Sequence, residues 1–304
     1  MTSSLSCSLI LPKGYRVDDI LNFHRRDRHQ IAEVVTASSL QKGLVWQGLP
    51  ARLTLYFHSS SVLAELCVDG RTSPTCQRHF VAMVQRMLGL FQDIHAFEEK
   101  YRQHQSLKHL LQRQSGLRVP VASSPFEALT WAVTGQQISI QAAVSIRRKL
   151  IQTAGVRHSS GLWCCPEAPQ INEIKPQALR SAGFSQAKIR TLLVLSKLVC
   201  NGQLPLTQWL ETLPVNTIAS ELLAVPGIGA WTVNYGLLRG FGWMDGSLHG
   251  DVAVRRGIQH LLQEPEKIDI TTAKIWLAQF SPWRALVAAH LWAYNLSIAN
   301  STPK

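Results

Sequence analysis

The sequence predicts a mainly α-helical protein that begins with a small α+β domain. Two textures carry that reading. Period-two apolar runs are confined to roughly the first 95 residues, and helical periodicity punctuated by Gly and Pro fills the rest. A third observation bounds the size. The chain has 304 residues, 46% of them hydrophobic and 16% charged, enough to bury the cores of one large domain or two ordinary ones.

In the N-terminal part, strands are expected at residues 8–11, 43–47, 52–57 and 62–68. In the third run Leu53, Leu55 and Phe57 alternate with Arg52, Thr54 and Tyr56, the pattern of a half-buried strand. Residues 17–23 and 76–91 have helical spacing, the latter through Phe80, Val84, Met87, Leu88 and Phe91. Strands mixed with two helices suggest a small antiparallel sheet with helices on one face. A polar stretch at 98–114 separates this unit (1–112) from a helical body (113–304). Helices are expected in the body at 125–143, 188–199, 218–223, 231–239, 252–262, 270–279 and 283–296. Gly116, Pro120, Gly155, Gly183, Pro226, Gly227, Gly229 and Pro282 separate them.

Charge narrows the partners. Thirty-one Lys and Arg oppose 19 Asp and Glu, a formal net charge of +12, which on a foldable chain points to a polyanion. No apolar run reaches the ~18 residues of a membrane span. The early apolar segment at 5–11 lacks a basic leader and is broken by Pro12, unlike a signal peptide. The expected location is therefore the cytoplasm, with the nucleoid, or a nucleus, and no membrane partner is expected. Cys7, Cys67, Cys76, Cys164, Cys165 and Cys200 form no CxxC pair and no cluster motif, so they read as reduced thiols without a metal.

The most informative stretch is residues 222–235, Leu-Leu-Ala-Val-Pro-Gly-Ile-Gly-Ala-Trp-Thr-Val-Asn-Tyr. A helix ends near Ala224, Pro226 stops its continuation, and two glycines permit a tight turn into a second helix. Ile228 between them can plug back onto both helices. Val225, Gly227, Ile228, Gly229, Ala230 and Thr232 thus form a hairpin whose backbone N–H groups suit a DNA phosphate. Downstream, a Gly-rich loop ends at Asp251 and the helix Val252 onward. Asp is a favoured N-cap, and a cap role is compatible with a reactive one because a capping aspartate is fixed in place beside the favourable end of the helix dipole.

Together these residues resemble the helix-hairpin-helix/Gly-Pro-Asp superfamily of base-excision DNA glycosylases, in particular the DNA-3-methyladenine glycosylase II type. The likeness extends through Gly116–Pro120, Gly135-Gln136-Gln137, Pro282-Trp283-Arg284 and His290-Leu291-Trp292. It implies a helix-hairpin-helix glycosylase fold and Asp251 as the catalytic carboxylate. It also implies a base pocket of Trp231, Tyr235 and Trp292, with Phe23 from the N-terminal domain. Gln136 and Gln137 stand where the family fills the gap left by a flipped base.

Relatives that also cut the backbone carry a Schiff-base Lys where this chain has Trp231, so a monofunctional, cofactor-free, monomeric enzyme on damaged double-stranded DNA is expected. Alkylated purines of the 3-methyladenine and 7-methylguanine type are the implied substrates. A non-catalytic DNA-binding repair module and a bifunctional glycosylase/lyase are the alternatives. The sequence departs from the family at Phe23-His24-Arg25-Arg26-Asp27, where the family is largely apolar. That run reads either as a solvated helix face or as Arg25 or Asp27 reaching the pocket. Arg147, Arg148, Lys188 and Arg239 are among the basic residues expected near phosphates.

Overall fold

A computed structural model describes residues 2–73 and 76–301. Five strands, β1 (Ser3–Ile10), β2 (Glu33–Val35), β3 (Ser39–Trp46), β4 (Leu49–Phe57) and β5 (Ser61–Val68), form one antiparallel sheet in the order β1-β5-β4-β3-β2. Gln47 and Gly48, both at positive φ, close the β3–β4 hairpin with the backbone twist that two-residue turns need. The alternation read at 52–57 sets the register: Leu53 pairs with Leu66 and Leu55 with Ala64, all fully buried. The helix Cys76–Met87 packs on this face through Phe80, Val84 and Met87.

The remainder is helical, organised around two apolar clusters. One gathers Phe126, Leu129, Leu192, Leu222, Ile228 and Val233; the other gathers Phe97, Leu110, Tyr235, Val254, Phe280 and Leu291. The helices Pro125–Gly135 and Ala230–Gly236 lie between them and contribute to both. Ser124 caps the first, its side chain accepting from the Glu127 N–H at 3.0 Å, with Pro125 in the first turn. The first of these helices carries Glu127 and Trp131, and the second carries Trp231 and Tyr235.

Two local expectations change. Within the polar stretch 98–114 the chain is helical (Ile94–Tyr101 and Lys108–Arg113), and Tyr101, Leu107, Leu110 and Leu111 join the cluster of the C-terminal helix Arg284–Ser301. The run 125–143 is not one helix. It breaks after Gly135, and a new helix, Ile140–Ala154, starts at the Ser139 cap. Sheet and body also meet directly: Cys165 N–H donates to Gly43 O at 3.0 Å, extending β3 by one parallel bridge to Leu44.

Candidate active site

The hairpin joins the helix Val215–Leu223 to Ala230–Gly236, which continues through a wider π turn, Leu237–Phe241. Val225, Ile228 and Thr232 are buried, so the turn presents outward its backbone, Pro226 and the small residues Gly227, Gly229 and Ala230. Gly227 sits at φ +87°, and a Cβ there would lie 2.0 Å from Thr191 Oγ1, which donates to Pro226 O at 2.8 Å. Gly227→Ala is therefore expected to lower stability by roughly 2–4 kcal/mol, from left-handed strain plus overpacking. Urea midpoints check this, and an unchanged midpoint would contradict the geometry.

Gln136 binds the hairpin from the neighbouring loop. Its Nε2 donates to Gly227 O and to Thr232 Oγ1, both at 3.0 Å. Gln137 beside it is exposed at φ +56°, with Ile138 and Ile140 also exposed. Of the two glutamines, the first anchors the loop and the second is its tip.

Asp251 lies at the N-cap of the helix Val252–Leu262, its Oδ1 accepting from Ala253 N–H at 2.8 Å and Val254 N–H at 3.0 Å. Two indoles add to this. Trp231 Nε1 donates to Oδ2 at 2.9 Å and Trp292 Nε1 to Oδ1 at 3.3 Å. Tyr235 lies between the two, ring centroids 5.2 Å from Trp231 and 6.3 Å from Trp292. The structure thus brings Asp251, Trp231, Tyr235 and Trp292 into one corner. The hairpin helix supplies one wall and the C-terminal helix the other.

Phe23 is one step removed. It lines a cavity reached past Tyr235, together with Arg26, Asp27, Trp131 and Arg239. Trp131 and Arg239 were not expected here. Trp131 sits at ordinary core spacing on its helix, and Arg239 lies on the π turn, which periodicity does not signal. The polar run after Phe23 splits. Asp27 lines the cavity and pairs with Arg148 at 3.0 Å, whereas Arg25 turns outward to Asn22 Oδ1 and Thr36 O. His24 is buried against Glu33 at 2.9 Å, and burial lowers its pKa despite that carboxylate.

Behind the cavity lies a buried charge network. Lys42 Nζ, fully enclosed, donates to Glu33 Oε1 and Glu127 Oε1, both at 2.6 Å. Arg147 bridges the same carboxylates at 3.1 and 3.0 Å. Burial alone would depress the Lys42 ammonium and raise Glu127. The opposite charges outweigh it, raising Lys42 and taking Glu127 down to about 2. Cys165 Sγ lies 3.7 Å from Lys42 Nζ. Its thiol is pushed by burial to about 12, so at neutral pH the carboxylates balance the lysine. Glu33, Glu127 and Cys165 have a metal-like spacing, but Lys42 and Arg147 bind both carboxylates. Arg147 and Arg239 were expected near phosphates. The first is committed to this network and the second is 8% exposed. Lys188 donates to Thr134 O at 2.8 Å.

A hairpin tied to a wedge-like loop, and a capping aspartate between two indoles, define a class. Residues 130–281 match the HhH-GPD superfamily base excision DNA repair protein family, and this chain belongs to it. Among curated relatives, DNA-3-methyladenine glycosylase 2 of Escherichia coli (strain K12) is 28% identical over 58% of this chain and 60% of its own length. DNA-3-methyladenine glycosylase of Bacillus subtilis (strain 168) is 23% identical over 93% of this chain and 95% of its own. The solved 3-methyladenine DNA glycosylase of Archaeoglobus fulgidus superposes with a TM-score of 0.80 at 19% identity, covering 96% of this chain and 99% of that one. A Clostridium acetobutylicum 8-oxoguanine glycosylase/lyase bound to double-stranded DNA gives 0.73 at 13% identity, covering 98% of each chain. These two show that the fold is shared.

Proposed function

We propose that the protein is a monofunctional DNA glycosylase acting on damaged purines, alkylated ones of the 3-methyladenine and 7-methylguanine type included, and leaving an abasic site in duplex DNA. The observation that carries this reading is the Asp251 carboxylate, fixed by two backbone amides and two indole N–H groups, with Tyr235 packed between those indoles and lining the neighbouring cavity. The names of the Escherichia coli and Bacillus subtilis relatives support it.

The proposed sequence of events is built from these parts. The hairpin amides and the net charge of +12 hold the sugar–phosphate backbone in a salt-sensitive way. Gln137 at the loop tip fills the space vacated when the nucleotide swings out, at a cost of a few kcal/mol that damage reduces. The base enters the cavity, and its sugar comes to rest against Asp251. Breaking the base–sugar bond builds oxocarbenium charge, which the preorganised carboxylate stabilises while water adds to the sugar. No amine stands at residue 231, so no covalent sugar adduct forms.

Incubation with methylated duplex followed by hot alkali tests the reading. Strand breaks at purines are expected, with no protein–DNA adduct after borohydride. Intact strands would favour a non-catalytic DNA-binding module, and a trapped adduct would show a lyase.

A further inference from the structure

The cavity reached past Tyr235 is not simply aromatic. Two guanidiniums stand over the Phe23 ring, Arg26 with Cζ 4.4 Å from its centroid and Arg239 with Cζ 4.7 Å. Arg26 also lies 5.8 Å from the Trp131 ring and Arg239 lies 5.5 Å from the Trp292 ring. The acidic residues of the cavity do not balance them. Asp27 is paired with Arg148, and Glu33 and Glu127 are held by Lys42 and Arg147. Among the described residues neither Arg26 nor Arg239 has a carboxylate partner within ion-pair distance. Arg239 Nη1 donates to Pro120 O at 2.8 Å, while its Nε is buried with no hydrogen-bond partner. Burial, and then the charge of Arg26, lower the Arg239 pKa against the opposing effect of Tyr235, but only to about 10, so it remains a cation at neutral pH.

We propose that Arg26 and Arg239 are specificity-determining residues that favour neutral purine lesions presenting a carbonyl oxygen or a ring-nitrogen lone pair, and disfavour purines carrying a fixed positive charge. This rests on the glycosylase reading and ranks the substrates within it. A cationic base would compete with two guanidiniums for the electron-rich ring faces and would meet like charge at close range. A neutral base leaves differently. When its C1′–N9 bond breaks, the electron pair goes to the base, which departs as an anion and takes a proton from solvent. Water oxygen bonds to C1′, and the proton it loses passes to Asp251 or solvent. A guanidinium donor at the acceptor edge stabilises the charge that develops on the base. An alkylated cationic base leaves as a neutral molecule and gains nothing from such a donor.

The test is single-turnover release from two duplexes, one with hypoxanthine and one with 7-methylguanine, purines that share the carbonyl. The second adds the cationic methylated nitrogen and a 2-amino group, and the ratio is compared between wild type and variants so that the amino group's own effect cancels. Wild-type protein is compared with Arg26→Gln and Arg26→Lys, changes at an exposed position where folding is expected to be unaffected. Arg26→Gln is expected to shift the hypoxanthine-to-7-methylguanine rate ratio about three- to fivefold toward 7-methylguanine, the size of one exposed cation–ring contact, and Arg26→Lys to restore it. An unchanged ratio in Arg26→Gln overturns the proposal. Equal losses on both duplexes with weaker DNA binding also overturn it, because they would make Arg26 a backbone contact. Release of neither base by wild-type protein would overturn the glycosylase reading itself, an outcome distinct from release at an unaltered ratio.

Discussion

Replacing Asp251 by Asn is expected to reduce base release by at least roughly 10²–10³-fold, the usual effect of removing one preorganised electrostatic contact to a developing charge. The substitution isolates charge from architecture. Asn is as good an N-cap as Asp, and its oxygen can still accept from the Ala253 and Val254 amides. What changes locally is the partner of Trp231. The amide nitrogen replacing Oδ2 cannot accept from the indole, a loss of about 1–3 kcal/mol that a protein of this size tolerates. DNA affinity, assigned in the proposed function to the hairpin and the net positive charge, should be retained. Single-turnover rates and fluorescence anisotropy on one damaged duplex provide the measurement. A variant that binds and still releases base at the wild-type rate would remove Asp251 from the chemistry.

The largest expected effect on stability comes from Lys42→Met. Lys42 and Arg147 neutralise Glu33 and Glu127 inside a space from which water is nearly excluded. Removing the ammonium leaves two carboxylates against one guanidinium, a net buried charge expected to cost about 3–5 kcal/mol. For a chain of this size that corresponds to a melting temperature lower by about 10 °C. Pairing the change with Glu127→Gln restores neutrality and should recover part of the loss. If Lys42→Met melts within about a degree of wild type, well inside the expected shift, the network is not balanced as described.

The same network gives a pH signature. Glu127 has its folded pKa depressed to about 2, so its contribution is complete above the unfolded value of about 4.5 and is lost as pH falls from there toward 2. Glu167 works in the opposite sense. Burial raises it to about 8 despite a hydrogen bond from Ser124, so its contribution is complete below its unfolded value and lost as pH rises through 8. Lys42→Met should flatten the acid limb of the stability curve and, because the Lys42 charge also holds Glu167 down, move the Glu167 limb to higher pH.

Much of the site was readable because it is local. Pro226, Gly227 and Gly229 specify the hairpin within a few residues, and Asp251 declares itself by standing between a Gly-rich loop and an apolar-periodic helix. The corner of Trp231, Tyr235 and Trp292 followed from resemblance, and the structure brings those residues together around Asp251. The charge network was not readable. Residues 33, 42, 127 and 147 come from two strands and two helices, and no spacing rule links them. The guanidiniums over Phe23 were missed for a related reason. Arg26 reads as helix-end polarity, and Arg239 is turned inward by a π turn that no sequence period marks. The helices within 94–113 did leave a signal, since Leu107, Leu110 and Leu111 stand at i, i+3 and i+4, but the polar residues around them masked it.

The four donors around Asp251 divide its carboxylate unequally. A carboxylate offers about four lone-pair directions, two on each oxygen. Oδ1 accepts from Ala253, Val254 and Trp292, more than its two directions comfortably serve, whereas among the described residues Oδ2 accepts from Trp231 alone. One oxygen is held mainly by scaffold and the other is the less engaged of the pair. In the proposed reaction, a sugar carbon growing positive and the water that follows it would meet this carboxylate on its less engaged oxygen. Folding thus decides which oxygen of the acid is held by the scaffold.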